Sequence, residues 1–310
     1  MSHSKAVALM VLVTLMWSIA GVVTRHLEAA RSFEVTFWRS AFNAVALAVA
    51  LGAMRGASLW RELLRSGWPL WVSGVCWAVM YTAFMIAITM TPVANVLVTL
   101  AIAPLVTAVF ARIVLHHRLP RRTWVAIGVA GIGIAWMFGR EMTLGSGALA
   151  GMGVALAVPI AGAVNWTLLQ HVSHGDGDPD EGADSPDMLP ALLIGAVLSA
   201  LVTWPLSLPL RASTHDLSLL ALLGVVQLAI PCLIVVRLSR VLPGPEIALL
   251  ALLEVIFGVT WAWLWAGETP SASALTGGAL VLGALVGNEM LALRARRHAS
   301  ARGLAAGRAA

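Results

Sequence analysis

Charge is what this sequence has least of. Asp, Glu, Lys and Arg make up 11% of its 310 residues, against 59% hydrophobic residues. A soluble core of this length cannot bury so much apolar surface behind so few charges, which excludes an ordinary soluble domain. Cysteine is scarcer still. Cys76 and Cys232 both fall inside apolar runs and read as small core residues, so neither a disulfide framework nor a metal or cofactor site is expected. Tyr81 is the only tyrosine, and its hydroxyl needs a partner if it lies in a membrane. No cleavable signal peptide is expected: the first apolar run, 6–23, is long enough to span, and no small-residue cleavage site stands out after it.

What the chain has instead is apolar runs of about 20 residues, the length of a membrane-crossing helix. They lie near 6–24, 33–52, 68–89, 92–114, 122–138, 147–170, 188–209, 216–236, 244–265 and 272–293. The expected fold is an all-α integral membrane protein with ten transmembrane helices in the lipid bilayer. Thr91-Pro92 and Pro243-Gly244-Pro245 mark breaks between spans, because proline suits a helix start and disfavours a helical residue before it. Tryptophans near span ends, Trp60, Trp68, Trp124 and Trp204, read as interfacial anchors.

Orientation follows from the bases. With the N-terminus in the cytoplasm, four of the 20 Lys and Arg fall outside (Arg25, Arg31, Arg140, Arg211) and two within spans (Arg39, Arg112). The rest lie inside, so both termini are expected to be cytoplasmic, in an inner membrane. The same placement explains the basic pI near 10.5 without a nucleic-acid partner. Arg39 lies about two turns into the second span, where snorkelling outward or pairing with Glu34 is the expected use and facing the cavity the alternative.

The chain also repeats itself at an offset of about 151. Pro92 aligns with Pro243, Asn95 with Glu246, Ala103 with Glu254 and His117 with Glu268. A small shift places Trp17 on Trp166. This divides the chain into a first five-helix repeat over 6–138, a short linker over 139–146, a second repeat over 147–293 and a basic tail over 294–310. Five is odd, so the halves enter the membrane in opposite senses. Inverted repeats of this kind are the architecture of many secondary transporters, with the substrate near the midplane between halves.

The segments TPVANVLVTLAIAPLVTAVFARIVLHHRLPRRTWVAIGVAGIGI and EIALLALLEVIFGVTWAWLWAGETPSASALTGGALVLGAL, with Trp17-Ser18, carry a resemblance. Together they are similar to the ten-helix EamA-type members of the drug/metabolite transporter superfamily. The resemblance implies an exporter of small organic solutes, amino acids among them, working by alternating access. Two positions depart from the family pattern. His117 stands where a glutamate is usual, and Glu254-Val255 where Glu-Pro is common, although the first-half counterpart keeps Pro104.

Candidate site residues follow from polar or aromatic groups deep in the spans. Glu254 sits in the middle of an apolar run, where a carboxylate costs about 2.5–3.5 kcal/mol on insertion scales. It reads as a proton carrier or as the counter-charge to a cationic or zwitterionic solute; a structural carboxylate bonded between helices is the plainer use. Trp17 and Trp166 would flank the midplane as aromatic walls. Trp77, Tyr81 and Phe84 share one face of the third span. Gln227 and Pro231 share a face of the eighth, where proline would kink the helix. Asn165 and Trp261 complete the expected cavity lining. Asn43, Asn95 and Asn165 also suit hydrogen bonding between helices. The expected cavity is lined by spans one, three, four, six, eight and nine. Glycines at 128, 131, 133, 277, 278, 283 and 287 favour helix packing within the monomer, with a homodimer seam as the alternative.

The acidic loop 174–187 reads as a disordered cytoplasmic linker. Asp176, Asp178 and Asp180 resemble the start of a calcium loop, but Glu181 stands at the glycine position and Asp187 at the twelfth. Gly175-Asp176-Gly177-Asp178 matches a short motif of intramembrane aspartyl proteases, which need such aspartates inside helices. His116, His117, His171 and His174 lie at helix ends and read as solvated surface. The pattern favours a secondary active exporter of a small-molecule substrate over a membrane-embedded enzyme, a passive channel or a scaffold.

Overall fold

The computed structural model describes residues 3–56, 58–114, 120–144, 147–175, 189–238, 241–242, 247 and 250–306. Their regular elements are all helices, with no strand among them. Among the described residues, nine helical segments are long and apolar enough to cross a membrane. They are His3–Thr24, Ser32–Arg55, Trp68–Met90, Val93–Val114, Arg121–Met142, Ala148–Leu168, Leu189–Ser207, Thr214–Val235 and Ala272–Ala292. The ninth expected span appears as the shorter apolar helix Leu253–Trp265. Residues 176–187 of the acidic loop, His116, His117 and Pro243-Gly244-Pro245 lie outside the described residues, as do the side chains of Trp60, His171 and His174.

Four spans are interrupted, and proline explains three of them. The fourth stops at Leu100 and resumes at Ala103. Pro104 has no N–H to give the Leu100 carbonyl, and its ring crowds that carbonyl. The sixth breaks at Leu156, between Ala148–Ala155 and Ala157–Gly175, and Pro159 does the same to Ala155. In the eighth, the α-helix Thr214–Leu222 gives way to a π-helical segment, Leu223–Ala229, before α-helix resumes at Ile230–Leu238. Pro231 cannot bond the Gln227 carbonyl, and a wider turn absorbs the missing bond.

The ninth span breaks at Leu252 with no proline nearby. Leu252 is the repeat counterpart of Ala101, at the break in the fourth span. Val255 N donates to Leu252 O at 3.1 Å, a tight turn like Leu105 N to Ile102 O at 2.9 Å. The break is therefore present although Val255, not proline, follows Glu254. The new helix begins at Leu253, so Glu254 sits in its first turn, where the positive end of the helix dipole favours a carboxylate.

The spans pack in a regular scheme. The fifth lies against the tenth, the second against the seventh, and the fourth against the ninth. The first packs on the ninth and eighth; the sixth packs on the fourth and third. The third packs on the seventh, and the second on the eighth. Adding or subtracting five from every number returns the same set of pairs. The fifth and tenth spans meet backbone to backbone: a Cβ on Gly277 would stand 2.7 Å from the Gly133 carbonyl oxygen, and one on Gly133 2.8 Å from that of Gly277. Gly278 packs on Val98, whereas Gly128, Gly131, Gly283 and Gly287 face open space.

The outer surface suits lipid. Val45, Val49, Ile132 and Leu201 are all more than half exposed, as are Trp68 and Trp204, while Trp124 is 50% exposed.

Candidate functional site

Arg39 is the largest side chain that is fully buried. Its guanidinium neither snorkels nor meets Glu34. It turns into the bundle, where Nε and Nη2 both donate to Gln227 Oε1, at 3.2 and 2.9 Å. The cation lies 5.5 Å from the centre of the Phe84 ring. Glu34 is engaged elsewhere, accepting from the backbone N–H groups of Arg211 and Ala212, both at 2.7 Å. The sequence reading of Arg39 is corrected by its place on the helix. Arg39 and Asn43 are four residues apart, on one face, and that face is turned toward the third and eighth spans.

Around Arg39 the polar groups expected from the sequence gather, though not all of them. Gln227 lies in the π-helical segment and donates through Nε2 to the carbonyl of Trp17 at 3.1 Å. The hydroxyl of Tyr81 is buried beside Asn43 and Cys232 and has no well-formed hydrogen bond. Both side-chain polar atoms of Asn43 lack partners, as does Nη1 of Arg39. Trp77 stands against Tyr81 with ring centres 5.5 Å apart. Glu254 is within coulombic range of Arg39 without bonding it. Glu254 keeps some accessible surface. Trp261 shares the first span as neighbour, donating Nε1 to Ser18 Oγ at 3.0 Å, and stacks on Trp265 at 4.7 Å.

Two expected residues lie apart. Asn165 is fully buried and accepts from Ser73 Oγ at 2.6 Å, which ties the sixth span to the third. Trp166, next along that helix, is 50% exposed on the outer face, while Asn165 and Thr167 point inward. The second span, absent from the expected lining, supplies the only buried cation of the cluster. Two clefts at the surface lie elsewhere: one of about 260 Å³ beside Arg31, Glu34 and Arg211, and an apolar one of about 510 Å³ between the second, third and seventh spans.

The face that carries the loops after the first and ninth spans is tied across the halves by acids. Arg25 pairs with Glu268 and donates to the carbonyls of Ile88 and Thr91, at 2.8 and 3.0 Å. Glu268 also accepts from Val93 N at 2.8 Å, at the start of the fourth span. Asp216 accepts from the backbone N–H groups of Glu28, Ala29 and Ala30 at 2.8–2.9 Å. It also closes a capping box with Ser213 at the start of the eighth span.

Known proteins resemble this chain at three levels. The model of the EamA-like transporter family matches residues 4–139. The pseudopaline exporter CntI of Pseudomonas aeruginosa, from strains UCBPP-PA14 and PAO1 alike, is 25% identical over 289 residues, covering 90% of this chain and 94% of the exporter. A solved crystal structure superposes with a TM-score of 0.61 at 20% identity, covering 94% of this chain and 99% of the other, which is a likeness of fold. Residues 4–139 thus match the EamA-like transporter family model, in a chain whose described residues include nine helices long and apolar enough to cross a membrane.

Proposed function

We propose that the protein is a secondary active exporter of small organic metabolites, amino acids or related amphipathic solutes, working by alternating access with Glu254 as the proton-coupling carboxylate. One observation carries this reading. In an apolar bundle, Arg39 of the first half is hydrogen-bonded to Gln227 of the second, with Glu254 in range at a helix break. Ionisable groups are kept inside a membrane where they serve a pathway, and broken helices at mid-depth are where transporters bind solutes and ions.

The exchange of packing partners under a shift of five spans supports two inverted repeats. In such a protein the halves rock about a central site. The acids on one face, Glu268, Asp216 and Glu34, each bond residues of the other half, which supports reading that face as the closed one. Opening it requires these contacts to part. The positive-inside bias puts the termini in the cytoplasm and this latched face outside. Likeness to an exporter supports outward transport. A channel would more often present a symmetric ring of polar groups than one acid and one base.

The test is solute flux in proteoliposomes holding the purified chain, screened with amino acids and organic cations, with and without an imposed proton gradient. Counterflow that saturates and responds to the gradient is expected. Flux that never saturates indicates a channel, and no flux of any solute tested overturns the reading.

A further inference from the structure

Arg39 presents a problem of charge and hydrogen-bond capacity. Its guanidinium has five N–H donors, and Gln227 Oε1 takes bonds from only Nε and Nη2. Gln227 is neutral, so it supports the cation without neutralising it. Glu254 is felt at a distance and makes no bond to it. Nη1 is left without an acceptor, at a residue 1% exposed. In the same cluster the amide of Asn43, 0% exposed, and the hydroxyl of Tyr81, 3% exposed, approach each other without forming a well-aligned hydrogen bond. Nη1, Nδ2 of Asn43 and the Tyr81 hydroxyl can all donate, and they come from two neighbouring spans. A buried unpaired cation is strongly unfavourable, and its usual remedy is an anion that accepts several hydrogen bonds. A carboxylate fits that demand, with two oxygens and about four lone-pair directions.

We propose that Arg39, Asn43 and Tyr81 form a carboxylate-binding subsite, so that the transported solute carries a carboxylate that Arg39 recognises. Gln227 is the positioning residue, fixing the guanidinium so that Nη1 faces the ligand. This rests on the transporter reading and deepens it, because it makes Arg39, not Glu254, the group that sets the substrate class. An amino group on the same solute would meet Glu254.

The experiment is ligand-induced thermal stabilisation of the full-length purified protein, which reads binding without transport. The probes share scaffolds and differ in charge: L-phenylalanine, 3-phenylpropionate and phenethylamine; L-histidine and histamine; L-glutamate and succinate; and sodium chloride. The expected result is a rise in melting temperature with at least one carboxylate, none with its decarboxylated amine, and loss of that rise in Arg39→Gln. Tyr81→Phe and Asn43→Ala, which keep the cation, should each weaken the same binding several-fold and keep the subsite testable should Arg39→Gln fail to fold. Stabilisation by amines alone, carboxylate binding that survives in these variants, or no response to any probe overturns the subsite. An equal response to chloride overturns it in favour of an inorganic anion. The transporter reading is judged apart, by flux: flux of amines without carboxylate selectivity keeps the transporter and removes the subsite, and carboxylate binding without flux does the reverse.

Discussion

Gln227 holds the guanidinium of Arg39 with one oxygen while its own nitrogen holds the backbone of Trp17, so one side chain joins the first, second and eighth spans. Hydrogen bonds to a charged group contribute about 1.5–3 kcal/mol each. Gln227→Ala is therefore expected to lower the melting temperature measurably in detergent, and Gln227→Glu, which keeps the acceptor and adds a counter-charge, to lower it less. Equal losses in both would mean that the Arg39 contact contributes little. Glu254→Gln keeps shape and hydrogen-bonding capacity and removes only the charge. It is expected to fold and insert like the parent while export falls sharply or ceases to follow the proton gradient. Export equal to the parent's at every gradient would leave Glu254 a structural group. The sequence revealed Glu254, Gln227 and Tyr81 because a polar residue inside an apolar run stands out on its own. Arg39 near a span end looked like a snorkelling base, since the direction its helix face points is a matter of packing. Trp166 misleads for the related reason that one residue along a helix is a 100° turn: Asn165 and Thr167 face in and the indole faces out.

At the scale of the helix, length and hydropathy sufficed to find nine spans within a few residues. Prolines at 104, 159 and 231 mark three of the four interruptions for the same reason, a missing N–H. The fourth, at Leu252, has no such mark. It is a property of the packed ninth span, which matches the break in the fourth, against which it lies. Glycine makes a sharper test. The fifth and tenth spans touch through the backbones of Gly133 and Gly277, with no room for a side chain. Gly277→Val forces the crossing apart, and overpacking of this kind costs about 1–3 kcal/mol. Gly128→Ala and Gly283→Ala meet open space and should be neutral or gain about 0.5–1 kcal/mol from reduced backbone freedom. Thermal melts of the three variants check this. Loss of stability in Gly128→Ala or Gly283→Ala, with a change in elution volume, would instead place those positions in a contact between two copies.

For the molecule as a whole, an even number of crossings returns the chain to the face where it began, and reporter fusions decide which face that is. Fusions at Arg65, Arg122 and Arg294 are expected to report the cytoplasm and one at Arg140 the exterior; the opposite pattern would invert the direction of transport inferred here. On the exterior side of that topology lie the three acids that tie the halves. Glu268 is bound to Arg25 and to the start of the fourth span, Asp216 to the loop after the first span, and Glu34 to the loop after the seventh. Each is held by charge-assisted hydrogen bonds, stronger than neutral ones but few in number, which suits a contact that forms and breaks in a working cycle. Neutralising one should shift the population toward an outward-open state rather than unfold the protein. In a background with Cys76 and Cys232 replaced by alanine, a single cysteine at Trp17 should therefore react faster with a membrane-impermeant thiol reagent added from outside when Glu268→Gln is present. The reverse is expected for a reagent confined to the inside, because one population grows at the expense of the other. If both rates rise together, the substitution has loosened the bundle instead of opening one side; if neither changes, these acids only cap helices and the gate lies elsewhere.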